Sequence, residues 1–145
     1  MSIEQNKAIV RRWFEEVINQ GNVEVVDNIC MRCVPSFVVI QGVANPPPQG
    51  LEGVKELIRT LRTSFPDLHF TIEDQIAEDD KVASKVTIRG THRGEFMGMP
   101  ATGKQINISG VSIWRVADGQ LVEESVSWDT LGMMQQLGVV PSPNI

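Results

Sequence analysis

A change of hydrophobic period at Pro66 constrains this chain more than any other feature. Before it, apolar residues recur at helical spacing; after it, they alternate with polar ones, so helices come first and strands follow. Residues 3–20 place Ala8, Ile9, Val10, Trp13, Phe14, Val17 and Ile18 on one side of a helix, with Lys7, Arg11, Arg12, Glu15 and Glu16 on the other. Ser2 stands where a cap belongs, and Gly21-Asn22 where a helix stops. A short second helix is expected over residues 22–30. Pro35 and the run over residues 45–50 (NPPPQG) exclude helix or central strand. A third helix fits residues 51–64, with Val54, Leu57, Ile58 and Leu61 on one face, and Pro66 ends it.

Beyond Pro66, Leu68, Phe70, Ile72 and Ile76 alternate with His69, Thr71, Glu73 and Gln75, and Asp74 is out of phase. After the turn Glu78-Asp79-Asp80, Val82, Val86, Ile88, Gly90 and His92 share one strand phase; Lys81, Lys85, Thr87, Arg89, Thr91 and Arg93 take the other. The loop GEFMGMPATG leads to a strand over residues 105–116 whose apolar phase slips around Gly110, as a β-bulge or bend would produce. Asp118-Gly119 reads as a hairpin turn into a strand over residues 121–129, and TLGMMQQLG as a short closing helix. Residues 140–145 are expected to fray. This order predicts an α+β fold, three N-terminal helices packed on one face of a bent sheet, in a single domain over residues 1–145.

With 13 Lys and Arg against 18 Asp and Glu, the chain carries a formal charge of −5, which argues against nucleic acid or an anionic membrane as partner. No apolar run approaches the roughly 18–20 residues that span a bilayer. The start, MSIEQNKAIVRRWFEE, lacks the basic-then-apolar plan of a signal peptide, so a cytoplasmic location is expected. Cys30 and Cys33 form a CxxC at the end of a helical pattern, better suited to two reduced thiols than to redox chemistry or zinc. Gly98 to Lys104 spells most of a phosphate-binding loop, but Gln105 replaces the required hydroxyl and a strand follows; a hairpin loop is the better reading. Asn107-Ile108-Ser109 spells a glycosylation sequon with nothing else to suggest secretion. The stripe Lys81, Lys85, Arg89 and Arg93 reads as a solvated strand face paired with acids such as Glu73 or Glu123.

Two titratable groups stand out. His92 lies in an apolar phase, which suits either a buried, satisfied histidine or a catalytic one; His69 lies in a polar phase. Asp129 follows Trp128 at the junction with the closing helix. It suits a helix cap, or a carboxylate at the mouth of an apolar cavity whose pKa is raised by desolvation. His92 and Asp129 fall in opposed phases, since Asp129 shares its phase with Ser125 and Ser127. A bulge or sheet curvature is needed for both to face one cavity.

The stretches NKAIVRRWFEEVINQGNVEVVD, GVKELIRTLRTSFPDLHFTIEDQIAEDDKV, GTHRGEFMGMPATGK and VADGQLVEESVSWDTLGMMQQLG together resemble the SnoaL-like polyketide (ester) cyclase family, over roughly residues 6–138. The resemblance implies the cone-shaped nuclear transport factor 2-like fold, with a strongly curved antiparallel or mixed sheet around a deep apolar pocket, in a homodimer formed through the sheet. It implies cofactor-free intramolecular aldol cyclisation, or a related isomerisation, of a small apolar carbonyl compound, with no metal. In that reading Asp129 is general base and acid and His92 polarises the substrate. Trp13, Phe14, Val17, Phe37, Leu57, Leu61, Val86, Met97, Met99 and Trp114 form the substrate wall. Phe37-Val38-Val39-Ile40 stands where relatives commonly read Phe-Val-Asp-His, and Ser125 replaces a usual tryptophan. The missing Asp-His pair favours the alternative, a non-catalytic small-molecule-binding or dimerisation module on the same fold, and the retained Asp129 and His92 favour the enzyme.

Overall fold

The computed structural model describes residues 2–30, 38–41 and 50–141, with residues 38–41 described by their backbone. Helix α1 (Ile3–Arg12) opens on Ser2. The Ser2 hydroxyl accepts from Gln5 N at 3.1 Å, and Gln5 Oε1 accepts from Ser2 N at 2.9 Å, a capping box that satisfies two orphan donors. From Trp13 to Asn19 the helix widens to i→i+5 turns that bury Trp13, Phe14, Val17 and Ile18 together. Ala8, assigned to that buried face by its spacing, is exposed. Gly21, at φ +69°, stops the helix. A 3₁₀ turn, Val23–Val25, runs into α2 (Val26–Ile29). Helix α3 (Gly50–Ser64) buries Val54, Ile58 and Leu61.

The strands are β1 (Val38–Gln41), β2 (His69–Glu78), β3 (Lys81–Thr91), β4 (Gln105–Ala117) and β5 (Gln120–Trp128), followed by α4 (Thr130–Gln136). Strands β2 to β5 form an antiparallel meander, and β1 adds parallel to β5, giving the order β1-β5-β4-β3-β2 in a mixed, open sheet. The sequence reading had no strand at β1. The inner face, with Val82, Val86, Ile88, Ile106, Ile108, Trp114 and Leu121, shares one buried core with the helices.

Two phase expectations are corrected. Strands β3 and β4 pair without a break from Lys81↔Arg115 to Thr91↔Gln105, so there is no bulge at Gly110. Instead Ser112 lies inside while Val111 and Ile113 lie outside. Gly110 is needed for space: a Cβ there would stand 3.1 Å from Ser127 O and 3.1 Å from the Trp128 ring. Ile76, expected inside, is 65% exposed, because the register shift between Ile72 and Asp74 inverts the phase of β2. Asp118 and Gly119, at φ 51° and 75°, make the expected tight hairpin. Among the described residues, no helix is long and apolar enough to cross a membrane. The tail over residues 142–145 lies outside the described residues, as do Pro35 and the run over residues 45–49.

Candidate functional site

The site is built on β5. The register between β4 and β5 shifts at Arg115/Val116, so Leu121 and Val122 are both buried. Beyond that shift, strict alternation sends Glu124 and Val126 inward and Glu123, Ser125 and Ser127 outward. Glu124 is thereby carried into the protein, with 4% of its surface exposed, and its Oε2 accepts from Ser112 Oγ at 2.6 Å. Around it, Trp13, Phe14 and Ile18 from the widened helical turns, Leu57, Ile58 and Leu61 from α3, Phe70 from β2, and Val126 and Trp128 line an apolar cavity. Its volume is about 20 Å³, room for a single water molecule. Phe70 is fixed there by Asn19, whose Nδ2 donates to Phe70 O at 2.9 Å and whose Oδ1 accepts from Phe70 N at 2.7 Å. Phe70 stacks on Phe14 (5.9 Å) and meets Trp128 edge-on (5.8 Å).

Burial pushes the Glu124 carboxyl up to about 7, and the Ser112 hydroxyl, which prefers the ionised form, holds it below where burial alone would take it. A carboxyl that is half-ionised near neutral pH can both take and return a proton. The Cys30 thiol is also buried and is pushed up to about 12, first by burial and then by the Glu124 charge. It stays protonated and is a packing group, not a nucleophile; Cys33 lies outside the described residues. Trp13 Nε1 and Trp128 Nε1, on two residues that line the cavity, are buried with no acceptor among the described residues.

Larger openings exist but are more open to solvent, with mainly polar residues at their borders. One of about 480 Å³ is bordered by Asp67, Arg89, Thr91 and Gln105; another of about 560 Å³ is bordered by Arg11, Glu15, His69 and Asp74. In the first, the Asp67 carboxylate is already held by Thr91 N and Oγ1, each at 2.7 Å, which lowers its pKa. Among the described residues, no three His, Cys, Asp or Glu side chains gather as a metal site requires.

Residues 8–137 match the family model for SnoaL-like polyketide cyclase. The chain belongs to that family. It is 30% identical over 95 residues to the aklanonic acid methyl ester cyclase DnrD of Streptomyces peucetius, a match covering 65% of this chain and 66% of that one, just under two thirds of the relative's length. A candidate polyketide cyclase from Acidithiobacillus ferrooxidans is 32% identical in structural alignment, with a TM-score of 0.80, covering 96% of this chain and 99% of that one. A protein of ketosteroid isomerase-like fold from Catenulispora acidiphila superposes with a TM-score of 0.74 at 13% identity, covering 90% and 92%, and supports the fold alone. The fold is therefore the nuclear transport factor 2-like one, as the resemblance implied.

Against this SnoaL-like frame, the expected site residues separate. Trp13, Phe14, Leu57 and Leu61 line the cavity. Val17, Val86 and Trp114 lie in the core with no exposed surface, Trp114 edge-on to Trp13 at 5.1 Å, and not on the cavity wall. Met97 and Met99 are half-buried in the loop between β3 and β4. There Phe96 and Met99 exchange backbone hydrogen bonds across a tight turn, so the phosphate-loop spelling is a hairpin, as expected. Phe37 lies outside the described residues. His92 is fully buried beside that loop, stacked on Phe65 at 5.4 Å, with Nδ1 3.1 Å from Thr102 Oγ1. Asp129 is exposed, and its Oδ1 accepts from Gly132 N at 2.9 Å, capping α4. The described residues do not bring His92 and Asp129 together on the cavity.

Glu124 is the residue that sequence reasoning passed over. Its signal was available: one carboxylate in the phase of Val122 and Val126. The neighbouring Glu123 obscured it, since either acid of the pair suits a solvated strand. Glu123 is indeed outside, 3.7 Å from Arg115.

Proposed function

We propose that this SnoaL-like protein is an enzyme that moves a proton on a small, apolar, carbonyl-bearing molecule, by intramolecular aldol-type closure or the related isomerisation. The observation that carries this reading is Glu124, a carboxylate desolvated to a pKa of about 7 in an apolar cavity. In the proposed step, Glu124 takes the proton from a carbon next to a carbonyl. The resulting enolate attacks a second carbonyl of the same molecule; one C–C bond forms, and Glu124 returns the proton to the new alkoxide oxygen. Product and substrate are isomers, so the step needs no co-reactant and asks for no metal or organic cofactor. The indole N–H groups of Trp13 and Trp128 are donors available to the enolate oxygen. The apolar walls exclude water and hold a flexible chain near its closed shape.

Asp129 supports a second assignment of the base, because it follows Trp128 on the cavity wall and holds the position to which the resemblance points. Ring closure of a linear poly-carbonyl ester, followed by product formation, separates the two. The wild-type chain is expected to turn over, and Asp129→Asn to keep its rate within several-fold, since Asn caps a helix as well as Asp. A collapse in Asp129→Asn would give the role to Asp129. A cavity of about 20 Å³ favours the non-catalytic alternative, because a substrate enters only if the lining side chains part. Binding of the ester without closure would establish that alternative.

We also propose a homodimer through the outer sheet face, where Val111 (47%), Ile113 (45%) and Ile76 (65%) leave apolar surface in solvent. Light scattering is expected to give twice the monomer mass, and Ile113→Lys to halve it. A wild-type monomer would refute the assembly.

A further inference from the structure

A cavity of about 20 Å³ admits no carbon compound, so one of its walls has to part before anything enters. Glu124, Val126 and Trp128 belong to β5 and Phe70 to β2, each held in a strand ladder. Trp13, Phe14 and Ile18 lie on a helical segment that is tied to β2 at both ends. Arg11 Nη1 donates to Gln75 Oε1 at 3.0 Å and Gln75 Nε2 donates to Lys7 O at 3.3 Å, while Asn19 grips Phe70. The wall that remains is α3, with Leu57, Ile58 and Leu61.

Helix α3 is pinned at its C-terminal end. Ser64 O accepts from Arg93 N at 2.9 Å and from Gly94 N at 3.2 Å, and Ser64 Oγ donates to Glu95 O at 2.6 Å. Gly94 comes so close that a Cβ there would stand 2.7 Å from Thr63 O. Arg62 Nη1 donates to Leu68 O at 2.6 Å and Arg62 Nη2 to Pro66 O at 2.9 Å. About 14 Å back along the helix, Lys55 makes a different kind of tie. Its Nζ donates to Asp27 Oδ2 of α2 at 2.9 Å and to Glu52 Oε1 of α3 itself at 3.3 Å. Among the described residues, Lys55–Asp27 is the one polar tie between the N-terminal half of α3 and the rest of the protein.

We propose that α3 is a flap, pivoting at Ser64 and latched by the Lys55–Asp27 ion pair, whose opening admits molecules to the Glu124 cavity. The latch is built to release. Glu52 travels with the helix, so the Lys55 ammonium keeps a carboxylate when it leaves Asp27, and Asp27, already half-exposed, is left to water. An ion pair with one partner in solvent holds only weakly. What keeps the flap shut most of the time is its buried apolar face, Val54, Ile58 and Leu61, so the open form is a minor local state.

The inference rests on the reading of this cavity as the substrate site, so its test reads opening without substrate. Trp13 Nε1 and Trp128 Nε1 belong to cavity-lining residues and are buried with no acceptor among the described residues. Exchange of these indole protons in D₂O, followed by NMR, reports how often the cavity opens. Trp114, fully buried and off the cavity wall, is the reference for wider unfolding. Asp27→Asn and Lys55→Met are each expected to speed exchange at Trp13 or Trp128 about two- to fivefold relative to Trp114, the worth of one partly exposed ion pair. Asp27→Glu, which keeps the charge, restores the wild-type rate. Arg115→Gln, which breaks the Arg115–Glu123 pair away from α3, leaves it unmoved. Unmoved exchange in Asp27→Asn overturns the latch, and an equal rise at Trp114 overturns it too, as general loosening. Faster exchange in a protein that never closes the ester leaves the flap standing and removes the enzyme; turnover with unmoved exchange does the reverse. Should Lys55→Met fail to fold, Asp27→Asn alone decides.

Discussion

Glu124→Gln is expected to lower ring-closing turnover by about 10²- to 10⁴-fold, the usual worth of a general acid–base group. The substitution is nearly isosteric, and the Gln carbonyl oxygen can still accept from Ser112 Oγ, which now lies 2.6 Å from Glu124 Oε2. The cavity walls are untouched, so substrate binding should change little and the loss should appear in kcat. What disappears is the ability to exchange a proton near neutral pH. That ability comes from burial, which lifts the Glu124 carboxyl to about 7. Stopped assays across pH on the wild type should show turnover rising as the pH passes that value, a limb absent from the variant. Full activity in Glu124→Gln would remove Glu124 from the chemistry. Loss in Asp129→Asn alone would return the base to the cap of α4.

The second large effect is on stability. The folded-state pKa of Glu124 is about 7 against an ordinary value of 4.5. Below the ordinary value both folded and unfolded chains hold the proton, and this group costs the fold nothing. Between the two values the unfolded chain releases a proton that the folded chain keeps, so stability falls as pH rises. Above about 7 the folded chain must carry a buried carboxylate, and the loss is complete. Integrated over that window, the difference is about 3 kcal/mol. Urea unfolding of wild type and Glu124→Gln should therefore diverge: similar pH trends from all other groups cancel, and the wild type loses about 3 kcal/mol relative to the variant between acid and mildly alkaline pH. A difference that does not vary with pH would mean that Glu124 is solvated. The effect also explains why a chain would retain such a group only for use, since a neutral side chain in its place would be more stable above neutrality.

Much of the architecture was legible because it is local. The 3.6-residue period before Pro66, the Ser2 cap, the stop at Gly21 and the Asp118-Gly119 turn are each decided within a few residues, and the structure has each of them. Strand β1 was missed for the opposite reason. Four residues without alternation, between stretches broken by proline, carry no period, and their pairing with β5 joins segments some 86 positions apart (Val38↔Glu124). Gly110 misled because alternation was judged by side-chain polarity: Ser112 is a polar residue inside and Val111 an apolar one outside, while the ladder runs straight through. Ile76 misled because a bulge inverts phase at no cost that the composition reveals.

The candidate site divides along the same line. The sequence by itself determined the family, the order of the helices and of the four meander strands, and the apolar helix faces on which Trp13, Phe14, Leu57 and Leu61 lie, because apolar spacing and motif are properties of neighbouring positions. Only the tertiary structure decided which carboxylate is desolvated. Asp129 and Glu124 are five positions apart on one segment, yet one caps a helix in solvent and the other is sealed. A register shift at Arg115/Val116 turned Glu124 inward, and helices more than 60 residues away in the chain cover it. Desolvation is the sum of what distant segments exclude, and no local pattern encodes that sum.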